Sequence, residues 1–218
     1  MADHVNRQFR LAARPVGRVK STDFTLHEAP DATPGPNQAV ARILYLSLDP
    51  TNRIWMSDMD QYMPPVELGE IMRGSAVGQI VASNRADYAV GDLVTGLLGW
   101  QDYCLISDGA LPLPFKLPPA PVRPSTFLGV LGLTGVTAYF GLHDVGRPQQ
   151  GDTVVVSAAA GAVGSIAGQL AKLHGCRVVG IAGSDDKCDW LTGELGFDAA
   201  INYRHPEWKA QLRAACPD

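Results

Sequence analysis

The second part of the chain alternates apolar strands with amphipathic helices, and no other feature constrains the fold as strongly. From Gly151 onward the order is strand, helix, strand, helix, strand, helix. Alternating segments of this length form parallel β-α-β units with right-handed crossovers. The strands are predicted at 153–157, 176–182 and 198–202, and the helices at 162–175, 185–196 and 206–215. We therefore expect an α/β fold that contains the first half of a doubly wound parallel sheet, the Rossmann fold.

The first part of the chain has a different pattern. Short β-branched or apolar runs alternate there with proline and glycine, which is typical of a mostly β, partly rolled domain. These runs occupy 39–48, 76–83, 92–98 and 100–106. The proline-rich segment 111–125 cannot form a continuous helix or a central strand, because each proline lacks a backbone donor. We interpret it as a connection, which predicts domains at 1–125 and 126–218.

A glycine-rich turn, SAAAGAVGSIAG at 157–168, joins the first strand of the second domain to its first helix. Such a turn brings backbone N–H groups close to a pyrophosphate, and Gly161 and Gly164 allow that close approach. Ala159 stands where the usual fingerprint has its first glycine. The context of strand, turn and helix predicts dinucleotide binding. The alternative is tight helix-strand packing in an α/β domain with some other ligand.

The end of the second strand indicates which dinucleotide is bound. NAD-binding domains place a carboxylate there for the ribose hydroxyls, whereas this chain has Gly183 and Ser184. A 2′-phosphate therefore meets no negative charge at that position. Lys187, in the first turn of the next helix, can pair with the phosphate, and Tyr203 can flank the same pocket. The alternative for Lys187 is a solvated surface lysine.

Bulk properties exclude several classes of function. The net charge of −4 over 218 residues includes no run of five or more like charges, so we expect no nucleic-acid partner. No apolar stretch is long enough to span a bilayer, and the first residues do not resemble a secretory signal, so we expect a cytoplasmic protein with no membrane partner. The four cysteines form no Cys-x-x-Cys pair, which indicates neither a zinc cluster nor a disulfide framework.

Several blocks of the sequence resemble the medium-chain dehydrogenase/reductase superfamily, in particular the zinc-independent branch of leukotriene and prostaglandin reductases and NADPH-dependent curcumin reductases. The blocks occur in the family's order: YLSLDPTNRIWM, YMPPVELGEIMRG, GWQDY, LGLTGVTAYFGL, GAVGSIAGQLAK and GFDAAINY. The resemblance implies a GroES-like catalytic domain followed by an NADP-binding domain. It also implies a homodimer when the protein is full length.

The resemblance assigns roles to individual residues. It implies a phosphate turn of Ala162, Val163, Gly164 and Ser165. It further implies 2′-phosphate contacts from Lys187 and Tyr203, a nicotinamide contact from Thr137, and substrate contacts from Tyr62, Leu98 and Gly99. The sequence departs from the family after Asp-Pro, where Thr51 and Asn52 replace an aromatic residue and a methionine.

Zinc chemistry is not expected, because the chain lacks a cysteine after LSLDP and has RGSA where zinc alcohol dehydrogenases have Gly-His-Glu. Reduction of an enone or alkenal with NADPH requires only hydride delivery and a hydrogen bond to the developing enolate. Tyr62 is our candidate donor; alternatively, it only packs against the substrate or the β domain. Two other functions stay open: an NADPH-dependent quinone reductase, and an NADPH-binding protein without turnover.

The sheet is incomplete at the end of the sequence. A doubly wound sheet has six strands, and only three are predicted here. We therefore expect these 218 residues to be a fragment of a longer chain and to be inactive alone.

Overall fold

The computed structural model describes residues 5–30, 32–109 and 114–216. The chain divides into two compact units, Met1–Leu128 and Gly129–Asp218. Within the described ranges, no helix combines the length and the apolar character needed to cross a membrane.

The first unit is built mainly from antiparallel strands. Strands β1 (Val5–Leu11) and β2 (Phe24–Pro30) form a two-stranded sheet. A five-stranded sheet has the order β6-β3-β4-β5-β7, with β3 Ala39–Leu46, β4 Ala76–Ser83, β5 Leu93–Gly96, β6 Tyr103–Ile106 and β7 Phe115–Lys116. The helical segments are α1 (Pro50–Trp55) and two 3-10 turns, Ser21–Asp23 and Pro124–Leu128.

The first unit packs around two apolar clusters. Small residues of β3 and β4 let the strands pack closely around larger side chains, and the first cluster comprises Ala39, Ala41, Ala76, Ile80, Tyr88, Val94, Leu98 and Ile106. The second cluster comprises Leu11, Trp55, Met56, Val66 and Met72. Tyr88 satisfies its buried hydroxyl by donating to the carbonyl of Pro114 at 2.7 Å. Burial of such side chains is the main stabilising contribution.

The structure differs from the sequence prediction at two places in this unit. Strands β1 and β2 were not predicted. The segment 111–125, interpreted as a connection, contributes strand β7, which pairs with the outer edge of β5. An edge position suits a proline-rich segment, because an edge strand needs donors on one side only. Residues 111–113 of that segment lie outside the described residues.

The second unit confirms the predicted alternation of strands and helices. Its elements are α2 Leu133–Phe140, a π-helical segment Gly141–Gly146, β8 Thr153–Val156, α3 Ala162–Leu173, β9 Arg177–Ala182, α4 Asp185–Gly193, β10 Ala199–Asn202 and α5 Trp208–Ala215. The strands are parallel in the order β10-β9-β8. Helices α4 and α5 are shorter than predicted; α5 begins at Trp208, two residues beyond Pro206.

Helix α3 lies directly on the core of this unit. Gly168 faces the ring of Phe197 so closely that a β-carbon there would lie 1.9 Å from the ring. Leu191, Val178 and Ala171 are fully buried in the same core. The N-terminus of α3 is thereby held at the ends of β8 and β9.

Candidate cofactor site

The turn after β8 is shaped by one left-handed residue. Ala158 has φ +47°, a conformation that residues other than glycine rarely adopt. The next residue, Ala159, is fully buried, and its N–H donates to the carbonyl of Ile181 on β9 at 3.0 Å. A β-carbon on Gly180 would lie 3.0 Å from that of Ala159, so Gly180 provides the space for alanine at the fingerprint's first position.

Two glycines of the turn are required by close backbone approach. A β-carbon on Gly164 would lie 2.5 Å from the carbonyl oxygen of Ala158, and one on Gly161 would lie 3.0 Å from the same oxygen. Gly161 is the N-cap of α3, and no side chain caps this end of the helix. The first N–H groups of a helix have no intrahelical partner and attract anions. The turn thus offers free backbone donors to a phosphate.

Four of the predicted cofactor residues line one cavity of about 540 Å³ in the second unit. Gly161, Val163 and Gly164 contribute from the turn, and Thr137 contributes from α2. The Thr137 hydroxyl donates to the carbonyl of Leu133 at 2.7 Å. Ala162 and Ser165 belong to the first turn of α3 beside this cavity but do not line it.

The end of β9 has the small residue and the flanking tyrosine that the sequence predicts. A β-carbon on Gly183 would lie 3.0 Å from the Tyr203 hydroxyl oxygen, so the tyrosine ring lies against this glycine. Lys187 is exposed in the first turn of α4. Among the described residues, no carboxylate lies within ion-pair distance of Lys187. Its ammonium group is therefore available to a ligand.

Asp185 has partners that the sequence did not reveal. Its Oδ1 accepts a hydrogen bond from Asn202 Nδ2 at 2.8 Å and lies 3.0 Å from His205 Nε2. The Asn202 hydrogen bond, and then the nearby His205, lower the pKa of Asp185. Ser184 is the N-cap residue of α4, but its side chain makes no capping hydrogen bond.

In the first unit, the predicted donor Tyr62 belongs to a small hydrogen-bonded group. Its hydroxyl oxygen accepts from Trp55 Nε1 at 2.9 Å and lies 2.6 Å from Thr51 Oγ1. The Tyr62 side chain is 69% exposed, so the hydroxyl is within reach of a ligand. Neither the Trp55 nor the Thr51 contact was expected from the sequence.

The other predicted substrate residues, Leu98 and Gly99, line a cavity of about 690 Å³ in the first unit. Leu98 is only 2% exposed and belongs mainly to the apolar core. Gly99 has φ +77°, which explains why glycine is required there. Tyr62 does not line this cavity, although its neighbour Met63 does.

Metal-ligating side chains do not cluster in the described ranges, where no group of three or more His, Cys, Asp or Glu residues is placed to hold an ion. The cysteines in these ranges are free thiols. Burial raises the pKa of the Cys104 thiol to about 11, so this cysteine stays protonated at neutral pH.

Two family models match the chain. The model for the N-terminal domain of oxidoreductases covers residues 7–112, and a model described as zinc-binding dehydrogenase covers 162–218. The NADPH-dependent curcumin reductase of Escherichia coli K12 is 48% identical over 212 residues, which is 97% of this chain and 61% of that protein. The chain belongs to the zinc-independent branch of the medium-chain dehydrogenase/reductase superfamily.

Other members of the family are similar over comparable lengths. The NADP⁺-dependent 2-alkenal reductase of Nicotiana tabacum is 38% identical over 224 residues, covering 100% of this chain and 65% of that protein. Mouse prostaglandin reductase 1 is 43% identical over 188 residues, covering 83% of this chain and 53% of that protein.

A solved structure of the family has the same fold. The crystal structure of CurA from Vibrio vulnificus in complex with NADPH is 46% identical with a TM-score of 0.87, covering 95% of this chain and 61% of that one. The chain thus spans about three fifths of the length of the curcumin reductase and of CurA.

Proposed function

We propose that this chain is part of an NADPH-dependent oxidoreductase that reduces the carbon-carbon double bond of enones and alkenals without zinc. The observation that carries the proposal is the end of β9, where Gly183 replaces a carboxylate and Tyr203 and Lys187 stand beside it. The names of the relatives, which include curcumin, 2-alkenal and prostaglandin reductases, support the substrate class.

The residues of the second unit fit an NADP cofactor. The small residues of the turn leave room for a pyrophosphate on the N–H groups of Ala162, Val163 and Gly164. The Ser165 N–H already donates to the carbonyl of Gly161 at 2.9 Å, so Ser165 would contribute its hydroxyl. Lys187 and Tyr203 would bind the 2′-phosphate, and Thr137 would contact the nicotinamide end. When bound, NADPH would supply a hydride to the β carbon of the substrate.

In the first unit, we propose that Tyr62 donates a hydrogen bond to the substrate carbonyl oxygen as negative charge develops there. The Trp55 N–H that donates to the Tyr62 oxygen strengthens the phenol as a donor, because hydrogen bonds in a chain polarise one another. Leu98 and Gly99 would contact the rest of the substrate. Dimerisation and a cytoplasmic location stay predictions from the sequence.

The cofactor assignment is tested by Lys187→Ala. A charge-assisted hydrogen bond contributes about 1.5 to 3 kcal/mol, so loss of the ammonium group weakens NADPH binding by roughly 10- to 100-fold. NADH binding stays unchanged, because NADH has no 2′-phosphate. Fluorescence titration of both cofactors measures this, with Lys209→Ala, another exposed lysine of the unit, as the matched control. Equal losses for both cofactors would refute the assignment.

The catalytic assignment is tested by Tyr62→Phe in the full-length protein, assayed with NADPH against enones, alkenals and quinones. If the hydroxyl stabilises the developing enolate, kcat falls and KM changes little. A change confined to KM would reduce Tyr62 to a packing role. Turnover of quinones only would support the quinone reductase alternative, and NADPH binding without turnover of any substrate would support the binding protein.

A further inference from the structure

The 2′-phosphate pocket proposed above has a carboxylate at its rim. Gly183 removes the acid from the strand end, yet Asp185 and Asp186 follow at once, in the same helical turn as Lys187. A phosphate monoester carries a charge of about −1.5 to −2 at pH 7, so a free carboxylate in this turn would repel it and compete for the lysine. A preference for NADPH therefore requires that Asp185 be held away from the phosphate and from Lys187.

The turn after β10 holds the Asp185 carboxylate in place. Asn202 and His205 both contact the same oxygen of Asp185, Oδ1, at 2.8 and 3.0 Å. This oxygen therefore directs its lone pairs at the turn. A carboxylate held by two donors is less free to move and less negative toward its surroundings.

The orientation of the Asn202 amide is itself fixed. Its Oδ1 accepts a hydrogen bond from the Arg204 N–H at 3.1 Å, which leaves Nδ2 to face Asp185. The backbone closes the turn, because the N–H of His205 donates to the carbonyl of Asn202 at 3.1 Å. Both donors to Asp185 therefore come from one rigid turn.

The same turn carries Tyr203. Its N–H donates to the carbonyl of Ala182 at 3.1 Å, which extends the parallel pairing of β10 with β9 and brings the ring against Gly183. One structural element thus presents Tyr203, the tyrosine proposed to bind the phosphate, and restrains Asp185, one of the two carboxylates in the first turn of α4.

From this geometry we propose that Asn202 and His205 are specificity-determining positioning residues, which hold Asp185 so that the pocket accepts the 2′-phosphate of NADPH. The inference rests on the proposed function, because it presupposes that NADPH binds at Lys187 and Tyr203. The two residues act on the cofactor through Asp185 and do not need to contact it.

The test removes both donors without adding charge, in the double variant Asn202→Ala/His205→Ala. Two unit charges about 4 Å apart in water interact by about 1 kcal/mol, so release of Asp185 should weaken NADPH binding about three- to fivefold. NADH binding should not change. His205→Gln, which keeps a side-chain donor, should retain most of the wild-type preference.

Rescue separates this role from a merely structural one. Adding Asp185→Asn to the double variant removes the released charge and should restore the ratio of NADPH to NADH affinity. Thermal unfolding of each variant checks the fold. If the double variant weakens NADPH and NADH equally, or if Asp185→Asn fails to restore the ratio, the positioning role is wrong.

Lys187→Ala, titrated alongside, distinguishes failure of this inference from failure of the proposed function. If Lys187→Ala selectively weakens NADPH while the double variant leaves the affinity ratio unchanged, only the inference fails. All of these variants are made in the full-length protein, and if its wild type binds neither cofactor, or prefers NADH, the proposed function itself fails.

Discussion

Replacing Gly164 with alanine tests the geometry of the nucleotide turn directly. The added methyl group would lie 2.5 Å from the carbonyl oxygen of Ala158 and 2.9 Å from the Cα of Ala159. Both opposing atoms belong to the backbone, so no side chain can rotate to relieve the overlap. Ala158 is already left-handed at φ +47°, which leaves the turn little freedom to adjust.

The magnitude follows from two opposing contributions. Overpacking of this kind costs about 2 to 3 kcal/mol, whereas alanine gains about 1 kcal/mol over glycine in a helix. The free energy of unfolding should therefore fall by about 1 to 2 kcal/mol, which lowers Tm by roughly 2 to 8 °C. NADPH and NADH should weaken together, because both place a pyrophosphate on this turn.

Gly193→Ala provides the matched control. Gly193 ends α4, and a β-carbon there meets nothing within 4 Å. This variant should be as stable as the wild type or more stable by up to about 1 kcal/mol, with unchanged cofactor binding. Urea denaturation and titration of both cofactors measure these quantities. A Gly164→Ala protein that matches Gly193→Ala in both stability and binding would refute the described turn geometry.

Two further predictions concern stability and thiol chemistry. Cys104, whose pKa is raised to about 11 by desolvation, should be alkylated more slowly at pH 8 in the folded protein than after denaturation; equal rates in the two states would contradict the raised pKa. Burial opposes the ionisation of Asp198, but hydrogen bonds from Lys172 and the Val178 N–H outweigh it and lower its pKa. Its stabilisation is therefore present above about pH 4 and lost as the pH falls through the folded pKa. Asp198→Asn should cost about 2 kcal/mol at pH 7 and flatten this acid dependence, measured by urea denaturation from pH 3 to 7.

The second unit could be predicted from the sequence because its signals are local. Each strand is a short apolar run, and each helix repeats its apolar residues on one face. The first strand, predicted at 153–157, is observed at Thr153–Val156. The departure at Ala159 was harder to interpret, since the space for its methyl group comes from Gly180 on another strand.

Strand β1 escaped prediction for a physical reason. Asn6 and Gln8 occupy inward positions of β1 and are buried, which hides the usual alternation of apolar and polar residues. The Asn6 amide donates to the carbonyl of Tyr103, and its oxygen accepts from the N–H groups of Asp102 and Tyr103. These partners are almost a hundred residues away, so no local pattern indicates them. The partners of Asp185 were also missed, because no local pattern indicates that Asn202 and His205 contact it.

The structure shows a contact made by Thr51, the first residue after Asp-Pro, that the sequence did not predict. The resemblance implies an aromatic residue at the position of Thr51, whose hydroxyl lies 2.6 Å from that of Tyr62. The Tyr62 oxygen already accepts from Trp55, so its single proton is available either to Thr51 or to a substrate. Either hydroxyl can donate in the contact between Thr51 and Tyr62. Where Tyr62 donates, a substrate oxygen competes with Thr51 for the proton; where Thr51 donates, the Tyr62 proton is free for the substrate. The loss of an aromatic wall and the gain of a hydroxyl partner are two effects of one substitution, and both act on the same proposed donor.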